Sequence, residues 1–289
     1  SQSQSLPPLP SQPPARSHHR LIVRTGDGAG YEADAVILAS GDDASLAQVC
    51  GLRRCKQRPV LCGLRCERGP LRGLEGLRAQ VGVTLLRAGK PLARERGEVI
   101  FKKEGVSGIP ILNLSRVAEP DDELSLDLMP DRSEDGLAML LRHRVEQLSW
   151  RAPGDFLIGM MHRRWSDAVR RQAKGMHAGP AGTGGTRACE TPDATCLGGT
   201  SPEALARVMK DYRLVVSGIA DPRAAQVTRG GICNDGFDPD TLESKHMPGL
   251  YASGEVLDVD GRCGGYNLHW AWASGLVAGT HAAQPPSGT

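Results

Sequence analysis

The chain has 289 residues, enough for one large domain or two ordinary ones, and 39% of them are hydrophobic. Its 35 basic and 33 acidic residues are mostly interspersed, and no aromatic platform accompanies the arginines, so the composition argues against nucleic-acid binding. No run approaches the ~18 apolar residues of a membrane span, and the first residues lack the charged-then-apolar order of a secretory signal. We therefore expect a soluble, cytoplasmic protein with neither a nucleic-acid nor a membrane partner.

Eight cysteines are scattered along the chain rather than arranged as a dense disulfide framework. The first four could be read as a zinc site, but none of their gaps has the CxxC spacing of a zinc ribbon. The sequence favours reduced, partly buried thiols and no metal site. The cysteines are Cys50, Cys55, Cys62, Cys66, Cys189, Cys196, Cys233 and Cys263.

Residues 1–19 are rich in Ser, Gln and Pro, a composition that cannot bury a core and predicts disorder. Leu21–Val23 and Tyr31–Ala33 then read as two strands joined by a glycine-rich turn at Gly26–Gly30. Because a second strand follows it, this turn is a hairpin rather than a phosphate-binding loop. The apolar run Ala35–Ala39 predicts a strand buried on both faces, as in a parallel sheet, and it ends at Ser40 and Gly41.

The stretch from Val60 to Arg116 is β-rich. A tight turn at Gly105–Pro110 leads into Ile111–Ser115. The candidate strands of this region and the one after it are Leu61–Cys66, Val81–Leu86, Glu98–Phe101 and Leu124–Leu128.

Helical signals follow. Ser133 with two acidic residues after it opens a helix that runs towards Leu148, and Phe156–Ala173 reads as a helix with a basic outer face. Residues 175–199 are rich in Gly, Ala and Thr and predict a loose loop. Ser201 followed by proline starts another helix that ends near Lys210, and Tyr212–Val216 is a further strand.

Three glycine-containing motifs carry the chemistry of the C-terminal third. The segment Ala225–Ile232 contains a glycine pair against which a flat ligand can lie. Gly249–Glu255 reads as a short buried strand that ends in small residues and an acid, where a nucleotide-binding sheet holds its ligand. Gly264–Asn267 opens a helix rich in Ala, Ser and Gly, whose free N–H groups face whatever precedes them.

These features suit a flavin. A reduced isoalloxazine gathers negative charge at its N1–C2=O edge, and a helix N-terminus aimed there stabilises that charge. We expect the small residues Ala271, Gly275, Ala278 and Gly279 to form one helix face that packs tightly on a sheet. A glycine-rich helix start without any ligand is the alternative for each motif taken alone.

In order, the motifs AQVTRGG, TLESKHMPGLYASGEVLDVDG and GGYNLHWAWASGLVAG closely resemble the end of the BaiN/YhiN-like, aminoacetone-oxidase-type family of FAD-dependent oxidoreductases. Further back, YEADAVILASG and GEVIFKKEGVSGIPILNLSR are similar to two other segments of that family. The resemblance covers nearly the whole chain from Arg20 to Ala283.

The resemblance implies an α/β fold with an α+β insert: a partial FAD-binding Rossmann-like domain interrupted by a β-barrel and a helical lobe. The implied flavin domain covers residues 20–57 and 221–289, and the insert covers residues 58–220. Within the insert, residues 58–130 and 211–220 form the barrel and residues 131–210 the helical lobe. The implied cofactor-binding residues are Ser40, Gly41, Thr228, Gly230, Gly231, Gly254, Glu255, Gly264, Gly265, Tyr266 and Asn267.

The sequence also departs from the family pattern. The family begins with a strand, a GxGxxG loop and a helix, which cradle the FAD pyrophosphate, and no such unit precedes Leu21. Asp42 stands where the family has glycine. We therefore expect a truncated family member, with weak or absent FAD binding and an apolar sheet edge open to pairing.

Two functions remain open from sequence. One is an FAD-dependent oxidoreductase acting on a small-molecule substrate, with hydride transfer through flavin N5 and NAD(P)H or an organic molecule as donor. The other is a truncated, catalytically silent fragment. No catalytic acid or base is identified, although Glu255 and His269 are the titratable residues nearest the expected flavin, and the substrate and oligomeric state are not determined.

Overall fold

The computed structural model describes residues 20–148, 150, 152–177 and 199–284. The predictions of disorder over residues 1–19 and of a loop over most of residues 175–199 fall outside these ranges. The chain divides into two compact units. The split unit comprises the residues up to 58 and those from 227 onwards, and the middle unit comprises residues 59–226. The cofactor role and the exact limits given to these regions from sequence stay predictions.

The split unit is a small α/β structure. An antiparallel hairpin of β1 and β2 leads to β3, which pairs in parallel with β12, while β4 pairs with β11. Its elements are β1 (Leu21–Arg24), β2 (Gly30–Ala33), β3 (Val36–Leu38), α1 (Leu46–Val49), β4 (Arg54–Val60), β11 (Val227–Ile232), β12 (Leu250–Ala252) and α7 (Tyr266–Ala282). The predicted hairpin, parallel strand and C-terminal helix are confirmed.

The core of the split unit lies around β12. Tyr251 and Ala252 have no solvent exposure, and Ala278 of α7 packs in the same cluster. Burial of β3 on both faces was a wrong prediction, because Ile37 is 39% exposed while Leu38 is 6% exposed. The two-stranded β3–β12 pair leaves one face of β3 uncovered within the described chain.

The middle unit is built on a closed antiparallel barrel whose six strands follow the order β10-β5-β8-β7-β6-β9. The barrel predicted from the resemblance is therefore present. Alternate residues of β6 point inward, so that Val81, Val83 and Leu85 are buried. The strands are β5 (Leu64–Cys66), β6 (Arg78–Arg87), β7 (Lys90–Lys102), β8 (Gly105–Ser107), β9 (Glu123–Asp127) and β10 (Tyr212–Ile219).

Helices cover the barrel and share one core with it. Trp165 makes edge-on ring contacts with Phe101 of β7, at 4.8 Å between centroids, and with Tyr212 of β10, at 5.3 Å. Burial raises the pKa of the Tyr212 phenol to about 12, and its hydroxyl donates to the carbonyl of Pro70 at 2.5 Å. The helices are α2 (Arg68–Leu71), α3 (Ile109–Ser115), α4 (Glu134–Gln147), α5 (Arg163–His177) and α6 (Pro202–Lys210).

The predicted capping signals are confirmed. Ser133 Oγ accepts from the Gly136 N–H at the start of α4, and Ser201 Oγ accepts from the Ala204 N–H at the start of α6. α6 ends at Lys210, as expected from the sequence.

Three local expectations in the middle unit are wrong. Ile111–Ser115 lies in helix α3 rather than in a continuation of the β-rich stretch. The strand expected over Leu61–Cys66 is confined to β5, because Leu61 turns the chain with φ of 51°. The helix expected from Phe156 begins only at Arg163, after a 3-10 turn and a bend.

Candidate functional site

The carboxyl ends of β3 and β12 lie side by side. Leu38 pairs with Ala252 in the parallel ladder, and the Ser253 N–H donates to the Leu38 carbonyl at 2.9 Å. The loops that begin at Ser40 and at Ser253 therefore leave the same edge of the sheet. In α/β sheets, ligands bind beyond this edge.

Thr228, at the start of β11, joins these two loops. Its backbone N–H donates to Glu255 Oε1 at 2.6 Å, and its hydroxyl donates to Asp42 Oδ2 at 3.4 Å. The carbonyl of Asp42 also accepts from Gln57 Nε2 at 2.5 Å. The structure thus brings the sequence-selected Thr228 and Glu255 together, with Asp42 from the loop after Gly41 on the other side.

The glycine pair of β11 packs against protein backbone. A Cβ at Gly230 would lie 2.4 Å from the Lys56 carbonyl oxygen, and one at Gly231 would lie 2.5 Å from that of Val256. The Gly230 N–H donates to Asp258 Oδ1 at 3.0 Å. The packing of neighbouring strands and loops alone thus accounts for both glycines, and their contact with a flavin stays a prediction.

Two left-handed glycines open α7. Gly264 has φ of 128° and Gly265, the N-cap residue, has φ of 91°, a region that favours glycine. No side chain caps this terminus, and the first turn contains no acidic residue. The first N–H groups of α7 and its positive end are therefore free of a charged or side-chain partner among the described residues.

Asn267 fixes the loop that precedes the helix. Its Oδ1 accepts from the Gly261 N–H at 2.7 Å, and its Nδ2 donates to the Gly261 carbonyl at 3.3 Å. The neighbouring Tyr266 is 63% exposed. Four residues at this helix start were selected from the sequence. Among them, Asn267 fixes the preceding loop through its hydrogen bonds to Gly261, and the side chain of Tyr266 is exposed to solvent.

α7 is anchored to the turn after β12. The Trp270 Nε1–H donates to the Gly254 carbonyl at 3.0 Å, and the Gly254 N–H donates to Ser274 Oγ at 2.9 Å. Since the helix rises 1.5 Å per residue, its first residue lies about 6 Å along the axis from Trp270. The open helix N-terminus and the Gly254–Glu255 turn therefore belong to one region of the split unit.

The expected small-residue packing face of α7 is wrong in part. Ala278 is buried, but a Cβ at Gly275 or Gly279 would meet no atom within 4 Å. Ser274 is the other buried residue of the helix. The opposite face exposes large apolar side chains, namely Leu268, Trp272 and Leu276.

Two titratable residues were singled out from sequence. Glu255 is held by the Thr228 N–H, and His269 is exposed, with Nδ1 at 3.1 Å from the Gly265 carbonyl. Sequence reasoning gave no site role to Asp258 or Trp270, which fix Gly230 and Gly254. The contact from Asp258 to Gly230 spans 28 residues, and no local sequence signal indicates it.

A disulfide joins Cys55 of β4 to Cys233, which follows β11, across a sequence separation of 178 residues. The expectation of uniformly reduced cysteines is therefore wrong for this pair. Cys50 and Cys66 are free thiols, and burial raises the pKa of Cys66 to about 12. The sequence gave no signal for the pairing because the two strands meet only through the fold.

None of the helices in the described ranges combines the length and apolar character needed to cross a bilayer.

A parallel strand pair with a glycine-opened helix anchored beside its carboxyl edge is the arrangement found at the ligand-binding edge of Rossmann-like proteins. The family described as "HI0933-like protein Rossmann domain" matches residues 14–281. The chain belongs to this family, the BaiN/YhiN-type flavoproteins expected from the sequence motifs.

Three curated relatives are similar to the chain. The 3-dehydro-bile acid delta(4,6)-reductase of Clostridium scindens is 30% identical over 283 residues, covering 92% of this chain and 66% of the relative. The ribosomal RNA dihydrouridine synthase of Escherichia coli is 29% identical over 62% of this chain and 40% of its own length. The enzyme of the same name from Haemophilus influenzae is 26% identical over 71% of this chain and 46% of its own length. The chain thus spans less than two thirds of each relative's length.

Proposed function

We propose that this chain is the flavin-binding and barrel-bearing part of an FAD-dependent oxidoreductase that acts on a small organic molecule. The observation that carries the proposal is the open N-terminus of α7 beside the carboxyl edge of β3 and β12. Membership of the HI0933-like family and the similarity to a bile-acid reductase support it.

The residues at the helix start fit the isoalloxazine edge of FAD. Uncapped backbone N–H groups and the positive end of a 17-residue helix stabilise negative charge that lies close to that end on the helix axis. The left-handed glycines Gly264 and Gly265 leave no Cβ to block an approaching ring. FAD supplies a two-electron acceptor and donor when bound, with NAD(P)H or an organic molecule proposed as the hydride source.

The remaining sequence-selected residues would hold other parts of the cofactor. Gly254 and Glu255 would lie beside the ribityl and pyrophosphate portion, and Ser40 and Gly41 beside the adenosine half. Thr228 orients Glu255 through its N–H, so the carboxylate acts as a fixed element of the site. Asp42 accepts a hydrogen bond from the Thr228 hydroxyl and adds a second carboxylate at this edge of the sheet.

Direct measurement of FAD binding tests the proposal. The purified chain is incubated with FAD, unbound cofactor is removed, and the visible absorbance is recorded. The open start of α7 predicts a stoichiometric flavin spectrum, and that result would overturn the weak or absent FAD binding expected from the sequence. Absence of that spectrum would instead support the catalytically silent fragment.

A charge introduced at the helix start separates a cofactor contact from a structural effect. Tyr266→Glu adds a carboxylate to the first turn, where it stabilises the helix by about 0.3–1 kcal/mol. The same carboxylate repels the charged flavin edge, so FAD affinity is expected to fall while thermal stability holds or rises. Leu276→Glu, about 15 Å further along the helix, is the matched control and should leave FAD affinity unchanged. Equal effects of both substitutions would exclude the helix start as the flavin contact.

A further inference from the structure

One face of α7 is apolar and has no covering element among the described residues. Leu268, Trp272 and Leu276 are 62%, 69% and 74% exposed, and their spacing of four residues places them along one side of the helix. We call these three residues the α7 stripe. The sequence of α7 contains no Asp, Glu, Lys or Arg at all. A helix that is apolar all round is normally buried all round, so the stripe has the character of a contact surface.

The indole ring of Trp272 is supported at the middle of the stripe. The His269 ring lies edge-on to it, with 5.9 Å between the ring centroids, and His269 Nδ1 lies 3.1 Å from the Gly265 carbonyl oxygen. Proline-rich segments bind to surfaces of this kind, because their rings pack on exposed aromatic side chains.

The residues that precede β1 have the composition of such a ligand. Pro7, Pro10 and Pro13 recur at every third position, which is the period of a polyproline II helix, so they would share one edge of that helix. Leu6 and Leu9 would share the neighbouring edge, whereas the third edge alternates proline with serine and suits solvent. A segment of this composition cannot build a core of its own, but it can become ordered on a surface that is already folded.

The segment joins the split unit at the C-terminal end of α7. Leu21 Cδ1 would lie 3.7 Å from a Cβ at Gly249, and two residues further along the Tyr251 hydroxyl donates to the His281 carbonyl at 3.4 Å. The chain that precedes Leu21 can therefore run back along the helix. From residue 6 to residue 14 a polyproline II helix extends about 25 Å, and the 17 residues of α7 extend about 26 Å.

The connection between the proline-rich residues and β1 suits this path. Residues 15–20 can extend about 20 Å, which is enough to pass around a helix of about 10 Å diameter. They include the basic residues Arg16, His18 and His19. Basic side chains are favourable near the negative C-terminal end of a helix, where this connection would pass.

We propose that residues 6–14 dock along the α7 stripe of the same chain. Their all-proline edge and their leucine edge cover the stripe, and the edge that contains serine faces solvent. A second copy of the chain fits the stripe less well, because two apolar patches of roughly 450 Å² each would bury only ~900 Å², less than the ~1,200 Å² of a stable interface. The inference does not rest on flavin binding, since it concerns the side of α7 rather than its open end.

Hydroxyl-radical footprinting with mass spectrometry tests the proposal on the full chain, because it measures the oxidation rates of Trp272 and Leu276 individually. Deletion of residues 1–14 is expected to raise both rates. A short tether gives an effective concentration on the order of 1 mM, so a segment with a Kd of about 0.1 mM is docked about nine-tenths of the time, and the rates should rise about tenfold. A synthetic peptide of residues 1–14, added to the shortened chain, should restore the protection.

Two double variants of equal composition separate docking from a general effect of proline. Pro7→Ser combined with Pro13→Ser alters the edge that contacts the stripe and should raise the oxidation rate of Trp272. Pro8→Ser combined with Pro14→Ser alters the solvent edge at the same spacing and should leave that rate unchanged. Circular dichroism verifies that each variant is folded.

Equal effects of the two double variants would overturn the inference, as would an oxidation rate of Trp272 that the deletion leaves unchanged. Protection that depends on protein concentration, with a dimer in analytical ultracentrifugation, would assign the stripe to a second copy and also overturn it. The footprinting is done with and without FAD. Protection that is present without FAD and lost on deletion supports the inference even where flavin binding fails.

Discussion

The disulfide between Cys55 and Cys233 should stabilise the split unit by an amount that depends on whether the middle unit stays folded. If the whole chain unfolds, the disulfide closes a loop of 178 residues, and the chain-entropy relation gives about 5 kcal/mol. Within the folded middle unit, the Gln226 N–H donates to the Leu61 carbonyl. That contact leaves only the segments from Cys55 to Leu61 and from Gln226 to Cys233 in the effective loop. Together they contain about 15 residues, which corresponds to about 3 kcal/mol.

We expect the smaller value, because the middle unit has its own core. Cys55→Ser combined with Cys233→Ser should lower the unfolding free energy of the split unit by about 3 kcal/mol. Urea unfolding followed by hydrogen-exchange mass spectrometry reports each unit separately. Dithiothreitol should destabilise the wild type to the same extent and leave the double variant unaffected.

Cys50→Ser is the matched control, since this half-buried thiol is free, and it should not change the response to reductant. Alkylation of the unfolded wild type without reductant should leave Cys55 and Cys233 unmodified. A loss near 5 kcal/mol with both units unfolding together would refute independent stability of the middle unit. An unchanged unfolding free energy would refute the stabilising role of the bond.

Two further predictions concern a buried carboxylate and two glycines. Burial opposes ionisation of Asp122, but its hydrogen bonds, chiefly the two from Arg87 at 2.9 Å, lower its pKa below the ordinary 3.8. The stabilisation from ionised Asp122 is therefore fully present above about pH 4 and is lost as pH falls through the lowered pKa. Asp122→Asn should remove this pH dependence from the unfolding free energy of the middle unit, measured with urea. Gly231→Ala should destabilise the split unit by more than about 1 kcal/mol, because the added Cβ clashes with the Val256 carbonyl. Gly275→Ala, in open space within a helix, should stabilise the unit by up to about 1 kcal/mol. Thermal melts in which both substitutions change the stability in the same direction would contradict this.

The sequence predicted those helices and turns that are determined by residues close to one another along the chain. Ser133 and Ser201 mark helix starts because their hydroxyls cap nearby N–H groups, and the glycine-rich turn before Tyr31 sets the hairpin. α3 was missed although Pro110 stands in its first turn, a common helix start, because the surrounding residues are rich in β-formers. β4 was not predicted, because a run of alternating basic residues carries no strand signal of its own and pairing with β11 makes it a strand.

The candidate site was predictable as a set of segments but not as a set of contacts. The glycine motifs selected Gly254 and Gly265, and in the structure both have a positive φ, of 74° and 91°. The hydrogen bond from Thr228 to Asp42 joins residues 186 positions apart, and no local pattern encodes it. The disulfide partner of Cys55 was hidden for the same reason.

The pairing of Val36 with Leu250 also has a consequence for synthesis of the protein. At 5–20 residues per second, a ribosome needs about 10–40 s to make the chain between these two residues. The barrel strands and their helices emerge in that interval and can fold, while β3 lacks β12, its strand partner among the described residues. The pairing of β3 with β12 is therefore delayed for longer than most small domains take to fold.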